Sequence, residues 1–445
     1  MTKRVLIERL ALETRIALID DEGPIEILHE SPLVDRGPRY GSVYRGRIKG
    51  RTPNGAGAFV DLGVCDGFLP TQKNGRGYEE GAGGVFQIRR EAEAGKSAIV
   101  SDEVVFASAL AVVSSRRGAT TLSGRATAEI AGESLRMDAE AWADGFETVV
   151  RVSALERPHA LRLEIGKAVD RARVVADASE DGPPGAIIGS GDALAVAASR
   201  WAAENVDVVS ANRDEESDRY SERCDRTPGS ETFRVEEIDA AFEQAVALST
   251  DLPGGARLTF EKTSALVAVD VDLGGARTMK APALWDGVAR GLRIRRLAGQ
   301  IVVDLPAFIA RGGKGALRAA LLSAAAGDPE QLRWAEMAEG GLVILNRRSV
   351  GPSWLEAWTA PTAAAPTAGR LWSADMRALD AARALERALS SERAARFNLA
   401  TAPALCDRLQ KAGLEDALRA RYGARFTLRS EDRFADQKEF DLVPL

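Results

Sequence analysis

Residues 41–70 read GSVYRGRIKGRTPNGAGAFVDLGVCDGFLP. The first part crowds Arg45, Arg47, Lys49 and Arg51 into a strand-like run, with Arg36 and Arg39 just ahead of it. The second part, AGAFVDLGVCDGFLP, alternates apolar residues with turn glycines, the pattern of short strands joined by tight turns. Together they predict a small, twisted antiparallel barrel. VFQIRRE (85–91) would close it, and SAIVSDEVVFASALAVV (97–113) would lead into the next unit. Phe59 and Phe68 fall between the arginine cluster and the later Arg89, Arg90 and Lys96. Single-stranded nucleic acid is held by bases stacked on exposed aromatics beside a positive groove, at about 1–3 kcal/mol per base. The alternative is that both rings fill the barrel.

Upstream, residues 4–20 are apolar enough for two short strands joined near Leu12. Residues 134–175 hold strand-like pieces (ETVVRVSA, ARVVAD) among Ala-rich helical stretches, and Asp177–Asp192 is a natural boundary. The polar segment from Ser210 to Glu231 reads as loop. After it, Ile238, Phe242 and Val246 recur at four-residue spacing in an amphipathic helix. ARLTFEK, SALVAVDVD, a helix through VARGLRIRRL, QIVVD, a helix through KGALRAALLSAAAG and GGLVIL follow, giving β-β-α-β-α-β. That order predicts an α/β layer with a largely buried sheet. Trp354–Arg370 reads as a linker, residues 373–421 as helical, and RFTLRSE as a closing strand.

Composition narrows the chemistry. The chain has 445 residues, which suggests two to four domains. Its 59 Lys and Arg against 65 Asp and Glu leave a net charge of −6, and it contains two His and three Cys. His29, His159, Cys65, Cys224 and Cys406 are scattered, which excludes zinc fingers, Cys-x-x-Cys redox sites and multi-His metal clusters. Ser-His-Asp or Cys-His catalysis would depend on one of two histidines without a visible partner. So few cysteines fit a reducing, cytoplasmic compartment. Glu8, Glu13, Asp20 and Asp21 interrupt the first apolar run, so it lacks a signal-peptide core. No stretch of about 18 apolar residues could span a bilayer.

Carboxylates remain. Asp270 and Asp272 are two apart at a strand end, so they share a face. Asp304 ends the next buried strand after one helical crossover. If the two strands are parallel neighbours, all three gather where open α/β sheets place ligands. Oxygen ligands suit Mg²⁺, with Mn²⁺ as a substitute, and such a site can activate water against a phosphodiester. The competing reading is that strand-end aspartates cap turns and helices. Gly95-Lys96-Ser97 and Gly312-Gly313-Lys314-Gly315 lack the full phosphate-loop pattern.

GSVYRGRIKGRTPNGAGAFVDLGVCDGFLP resembles the RNA-binding OB-fold of the bacterial ribonuclease E/G family. SALVAVDVDLGGA resembles that family's metal-binding strand, usually T-E-A-L-x-x-I-D-V-N-S-G, and LAGQIVVDLPAF is similar to its L-G-G-I-I-V-I-D-F-I-D-M. The likeness runs from residue 1 to about residue 350. It implies an S1-type OB-fold barrel (36–103) inserted in a ribonuclease H-like domain (1–35 and 190–245), and a 5′-sensor-like domain (104–189). A deoxyribonuclease I-like α/β catalytic domain (246–351), a linker (352–372) and a small C-terminal domain (373–445) would follow. By position, Asp270 and Asp304 resemble the metal-binding aspartates and Asp272 the third catalytic residue. Phe59, Phe68, Lys96 and Arg347 would contact RNA, and Arg151 would receive a 5′-monophosphate. The implied function is Mg²⁺-dependent cleavage of single-stranded RNA. An RNA-binding protein of the same fold with reduced or lost catalysis, or a structural partner in an RNA-processing assembly, are the other readings.

The sequence also departs from the family pattern. Asp272 stands for Asn, Val152 for a phosphate-binding Thr, Ala281-Pro282-Ala283 for an Asn-x-Glu pattern, Ala307 for the second Asp of I-D-F-I-D, and Ile344 for Glu. The Cys-Pro-x-Cys zinc link is missing, so no zinc bridge is expected, and association of copies without one stays open.

Overall fold

The computed structural model describes residues 2–34, 37–71, 79–93, 96–108, 110–123, 130–151, 154–155, 158–178, 180–189, 192–201, 204, 206–224, 232–275, 279–338, 340–361, 370–434 and 440–445. Strands Lys3–Arg9, Thr14–Asp20 and Gly23–Glu30 form an antiparallel sheet, and Val206–Ala211 adds in parallel beside Lys3–Arg9. The chain thus leaves this sheet after residue 30 and rejoins it at 206. Both faces are buried. Val5, Ile7, Ile16 and Leu18 pack on Trp201 and Tyr220, while Leu6, Ala17, Ile19 and Ile27 pack on Ile238 and Phe242.

Between the two visits lie the barrel and a third sheet. Strands Val43–Arg51, Gly57–Asp61, Asp66–Pro70, Ala98–Ser101 and Gly83–Arg90 close on themselves through pairing of the first with the last, as an OB-like fold does. Its centre is filled by Ile48, Val60, Leu69, Phe86 and Val100. Strands Thr120–Leu122, Phe146–Val150, Ala111–Arg117 and Val105–Ala107 make the third sheet, with helices Ile130–Trp142 and Pro158–Ala176 over it. ARVVAD therefore belongs to a helix rather than a strand; Ala172 and Val175 continue the stripe of Leu161, Ile165 and Val169.

The fourth sheet has the order Ser249–Leu252, Ala256–Lys262, Val267–Asp272, Gly299–Asp304, Leu342–Arg347, Arg333–Met337. Val267–Asp272 and Gly299–Asp304 run parallel, joined by helix Ala281–Ile294, and the other pairs are antiparallel. Odd-numbered Val267, Val269, Ile301 and Val303 are buried with Trp285, Leu284 and Leu321 of the overlying helices. Each such side chain contributes about 1.5–3 kcal/mol by burial. A one-residue slip would turn these four out and drive the strand-end aspartates inward, so packing fixes the register. The opposite face is not buried as the sequence suggested: Arg257, Asp270, Asp272, Asp304 and Leu342 are all exposed.

Two segments that read as loop and linker hold helices. Asp214–Cys224 is a helix, and Glu216, Ser217, Tyr220 and Ser221 form its buried stripe. Trp354–Trp358 is a helix closed by a capping box between Ser353 and Glu356, with Trp354 and Trp358 in the core. Helices Ala374–Ser391, Pro403–Lys411 and Leu414–Tyr422 pack with a strand, Phe397–Thr401, that lies between Phe426–Ser430 and Phe440–Pro444. Leu379, Leu385 and Leu389 share one core with the first sheet. Ion pairs cross the same boundary: Arg383 to Glu13 at 2.8 Å, and Arg387 to Glu8 at 2.7 Å. His29 is buried against Glu13 at 3.0 Å and lies edge-on to Phe242 and Trp358, a structural histidine. No helix among the described residues is long and apolar enough to cross a membrane.

Candidate functional site

Asp270 and Asp304 occupy matching positions of the parallel strands, Cα opposite Cα. Adjacent strands are about 4.8 Å apart, and in-register side chains of parallel neighbours point the same way. Both carboxylates project from the open face at the carboxyl ends of their strands. Neither makes an ion pair or side-chain hydrogen bond with another described residue. Asp272 sits on the same face one step further along but is more committed. Its Oδ1 accepts the Gly274 N–H at 2.8 Å. Gly274 has φ of +49° and a built Cβ would lie 2.7 Å from the Gly255 carbonyl, so this turn requires glycine. Across the sheet Asp272 faces Arg257, whose Nε donates to Asp251 at 2.6 Å. The Asp251 hydrogen bond raises the Arg257 pKa most, and the Asp272 charge adds to it.

The structure therefore brings Asp270 and Asp304 together as a pair. Among the described residues no group of three or more His, Cys, Asp or Glu side chains is placed to hold a metal ion. Two adjacent, unpaired, solvent-facing carboxylates fit Mg²⁺, which commonly takes one or two carboxylates and fills its octahedron with water and substrate phosphate oxygens. Ile344, where a Glu was expected, is half-buried on the same face beside Val302, and Ala307 opens a short helix after Asp304.

On the barrel, Phe59 and Phe68 are cross-strand partners with ring centroids 5.7 Å apart, edge to face. Neither belongs to the barrel's buried core; Phe59 is 41% exposed and Phe68 half-buried. The strand bearing Phe68 is flanked by Ala98–Ser101, and exposed Lys96 comes two residues before it. The two rings lie together on the outside of the barrel, next to the strand that Lys96 precedes. Part of the upstream basic cluster is used internally: Lys49 pairs with Asp66 at 2.9 Å, and Arg47 donates to the Gly81 carbonyl.

Arg347 is placed differently from an RNA contact. It is 4% exposed and gives two hydrogen bonds of 2.8 Å to Asp328, one of 2.8 Å to Glu330 and one of 2.9 Å to the Leu297 carbonyl. Glu330 also takes Arg200 at 2.5 Å, and Arg293 ties Glu26 to Glu204. Burial pushes the Glu330 carboxyl up, but Arg200 and Arg347 outweigh it and hold it at about 2.

Arg151 faces a cavity of about 930 Å³ that sequence reading did not reveal. Arg89 from the barrel, Arg171 from helix Pro158–Ala176, and Arg348 share its lining. These arginines are dispersed in sequence and carry no spacing signal. Val152, the expected neighbour of Arg151 in this site, lies outside the described residues.

The described residues thus combine a mixed α/β architecture, an OB-like barrel with outward aromatics and a sheet end that carries paired carboxylates. The ribonuclease E/G family model matches residues 106–350, more than half of the chain, and the chain belongs to that family. It is 34% identical over 136 residues to a ribonuclease E of Nostoc sp., covering 28% of this chain and 19% of the relative. It is 23% identical over 405 residues to ribonuclease E of Escherichia coli, covering 79% of this chain and 37% of the relative. For ribonuclease E of Haemophilus influenzae the values are 22% over 400 residues, 79% and 42%. The chain thus spans at most 42% of the length of these curated relatives.

Proposed function

We propose that this chain is a divalent-cation-dependent endoribonuclease acting on single-stranded RNA. The observation that carries the proposal is the in-register pair Asp270 and Asp304, exposed and unpaired among the described residues. These two side chains would hold Mg²⁺ or Mn²⁺, which when bound supplies an activated water and offsets charge on the scissile phosphate. Asp272, anchored to Gly274, stands beside the pair and adds negative charge to the site. Phe59 and Phe68 supply stacking surfaces for unpaired bases, and Lys96 a phosphate contact. Arg151 is the receiver for the RNA 5′ end. On this reading the split first sheet is the ribonuclease H-like unit, the fourth sheet the deoxyribonuclease I-like unit, and the setting cytoplasmic.

The second reading, RNA binding with lost hydrolysis, is favoured by one observation. Ile344 offers no ligand where the family pattern has a carboxylate, and Asp272, the remaining acidic neighbour, has one oxygen engaged by the Gly274 N–H. One assay separates the two: purified chain with an unstructured 5′-monophosphorylated RNA, in Mg²⁺ or EDTA, beside Asp270→Asn. Cleavage that needs Mg²⁺ and is lost in the variant supports the enzyme. Salt-sensitive binding through Phe59 and Phe68 with no cleavage moves the assignment to the second reading.

A further inference from the structure

A phosphate held between Asp270 and Asp304 fixes where the two nucleosides joined to it can lie, and the two flanks of that pair are not alike. On one side Thr259 stands opposite Asp270 and Arg257 opposite Asp272, with Arg257 tied to Asp251 at 2.6 Å. On the other side Leu342 stands opposite Asp304, and Ile344 opposite Val302 one step back on the same face. Paired positions on neighbouring strands are about 4.8 Å apart, and same-face residues of one strand about 6.7 Å apart. Leu342, Ile344 and Val302 thus make a patch that a single nucleobase can cover.

Leu342 is 39% exposed, an isobutyl group left in water beside an unpaired carboxylate. Ile344 and Val302 are half-buried and complete an apolar floor. The layer's own core does not account for these three, because it takes the alternate residues Val303, Val343 and Leu345. Beyond the floor, Glu336 of the edge strand stands opposite Ile344. Carboxylates therefore bracket the strip, Asp304 at one border and Glu336 at the other. A phosphate lying on it would be repelled from both borders, whereas an uncharged ring is not. A second protein layer would have to desolvate Asp270, Asp304 and Glu336. None of these has an ion-pair partner among the described residues, and burying an unpaired carboxylate is costly. A base covers the apolar side chains and leaves the carboxylates to water and the cation.

We infer that Leu342, Ile344 and Val302 form the floor on which one nucleotide flanking the scissile phosphate lays its base. The inference rests on the reading of Asp270 and Asp304 as the cation-holding pair of a ribonuclease. Contact is through the face of the ring, without hydrogen bonds, so the position demands a base and does not dictate which one. Ile344, standing where the family pattern has a carboxylate, supplies apolar surface instead.

The test is a cycle between side chain and base. An unstructured RNA with one mapped cut is prepared in versions that lack the base at each position near the cut, and the full chain is compared with Leu342→Ser and Leu342→Met. Covering the remaining 39% of Leu342 is worth a change of about 3- to 8-fold. Leu342→Ser should lower kcat/KM by that factor on intact RNA, while Leu342→Met, which keeps the volume, stays near the native value. At one position next to the cut, base removal should lower kcat/KM as well, and its loss should not add to that of Leu342→Ser. The Mg²⁺ concentration giving half-maximal cleavage should be the same in all three chains, which separates a base contact from a disturbed cation site. Losses that add at every position overturn the floor, and the cation reading stands if cleavage still needs Mg²⁺ and Asp270. If the native chain does not cleave, the cation reading fails and crosslinking decides the floor. A photoreactive benzoylphenylalanine replaces Leu342, or exposed Leu322 on helix Lys314–Ala324 over the opposite face, and RNA is added with Ca²⁺. Crosslinks to RNA from position 342 and not from 322 carry the floor. Crosslinks from 342 to a second copy of the chain, or none, overturn it.

Discussion

Arg347→Met is the substitution whose outcome depends most on where this guanidinium sits. If Arg347 touched RNA, its loss would weaken binding and leave the fold intact. In the structure it is buried and bonded to Asp328, Glu330 and the Leu297 carbonyl. Removing it leaves Glu330 with Arg200, but Asp328 loses its only ion-pair partner among the described residues. Breaking a buried pair by deleting one partner costs about 3–5 kcal/mol. Arg200 still covers Glu330, and Asp328 keeps the backbone N–H groups of Glu330 and Leu332 as donors, so the lower end, about 3 kcal/mol, is expected. Urea unfolding followed by tryptophan fluorescence reads the loss as a lower midpoint, and Arg347→Lys should recover part of it, since a single ammonium cannot reproduce the fork. An unchanged midpoint together with a large loss of RNA affinity would refute this reasoning.

Phe59→Ala should weaken binding of single-stranded RNA about 5- to 150-fold, the cost of one lost stacking platform, with little change in the unfolding midpoint because the ring lies outside the barrel core; fluorescence anisotropy against thermal melting separates the two. Glu330 has a folded pKa of about 2, below its ordinary 4.5. Its ion pairs therefore stabilise fully above pH 4.5 and are lost as pH falls toward 2, so the urea midpoint should fall more between pH 5 and pH 3 in the native chain than in Glu330→Gln. Asp272→Asn keeps the acceptor for the Gly274 N–H but removes a charge beside the pair. A few-fold rise in the Mg²⁺ concentration giving half-maximal cleavage is expected, at unchanged stability.

Much of the candidate site was legible because alternation with period two carries both packing and exposure. In the barrel, Ala58 and Val60 go inward, which sends Phe59 out. In the fourth sheet, Val269 and Val303 go inward, which sends Asp270 and Asp304 out together. One crossover helix between two such strands was enough to expect parallel neighbours. The helix Asp214–Cys224 was not legible, since its buried stripe is Glu216, Ser217, Tyr220 and Ser221 rather than apolar residues. The Trp354 helix did carry a signal in Ser353 and Glu356, three residues apart ahead of a hydrophobic pair. Phe397–Thr401 is a five-residue strand in a long Ala- and Leu-rich helical run, too short to impose its own periodicity. The arginine cavity and the Glu26–Arg200–Glu330–Arg347 network join residues from four distant segments. Only tertiary contact brings those charges together, and no local pattern encodes it.

The proposed chemistry requires Asp270 and Asp304 to hold a divalent cation between them. Anomalous diffraction from crystals soaked in Mn²⁺ tests that directly. One peak within coordinating distance of both carboxylates, about 2.0–2.2 Å, is expected, and it disappears in Asp304→Asn. Absence of that peak at a Mn²⁺ concentration that supports RNA cleavage in solution would contradict it.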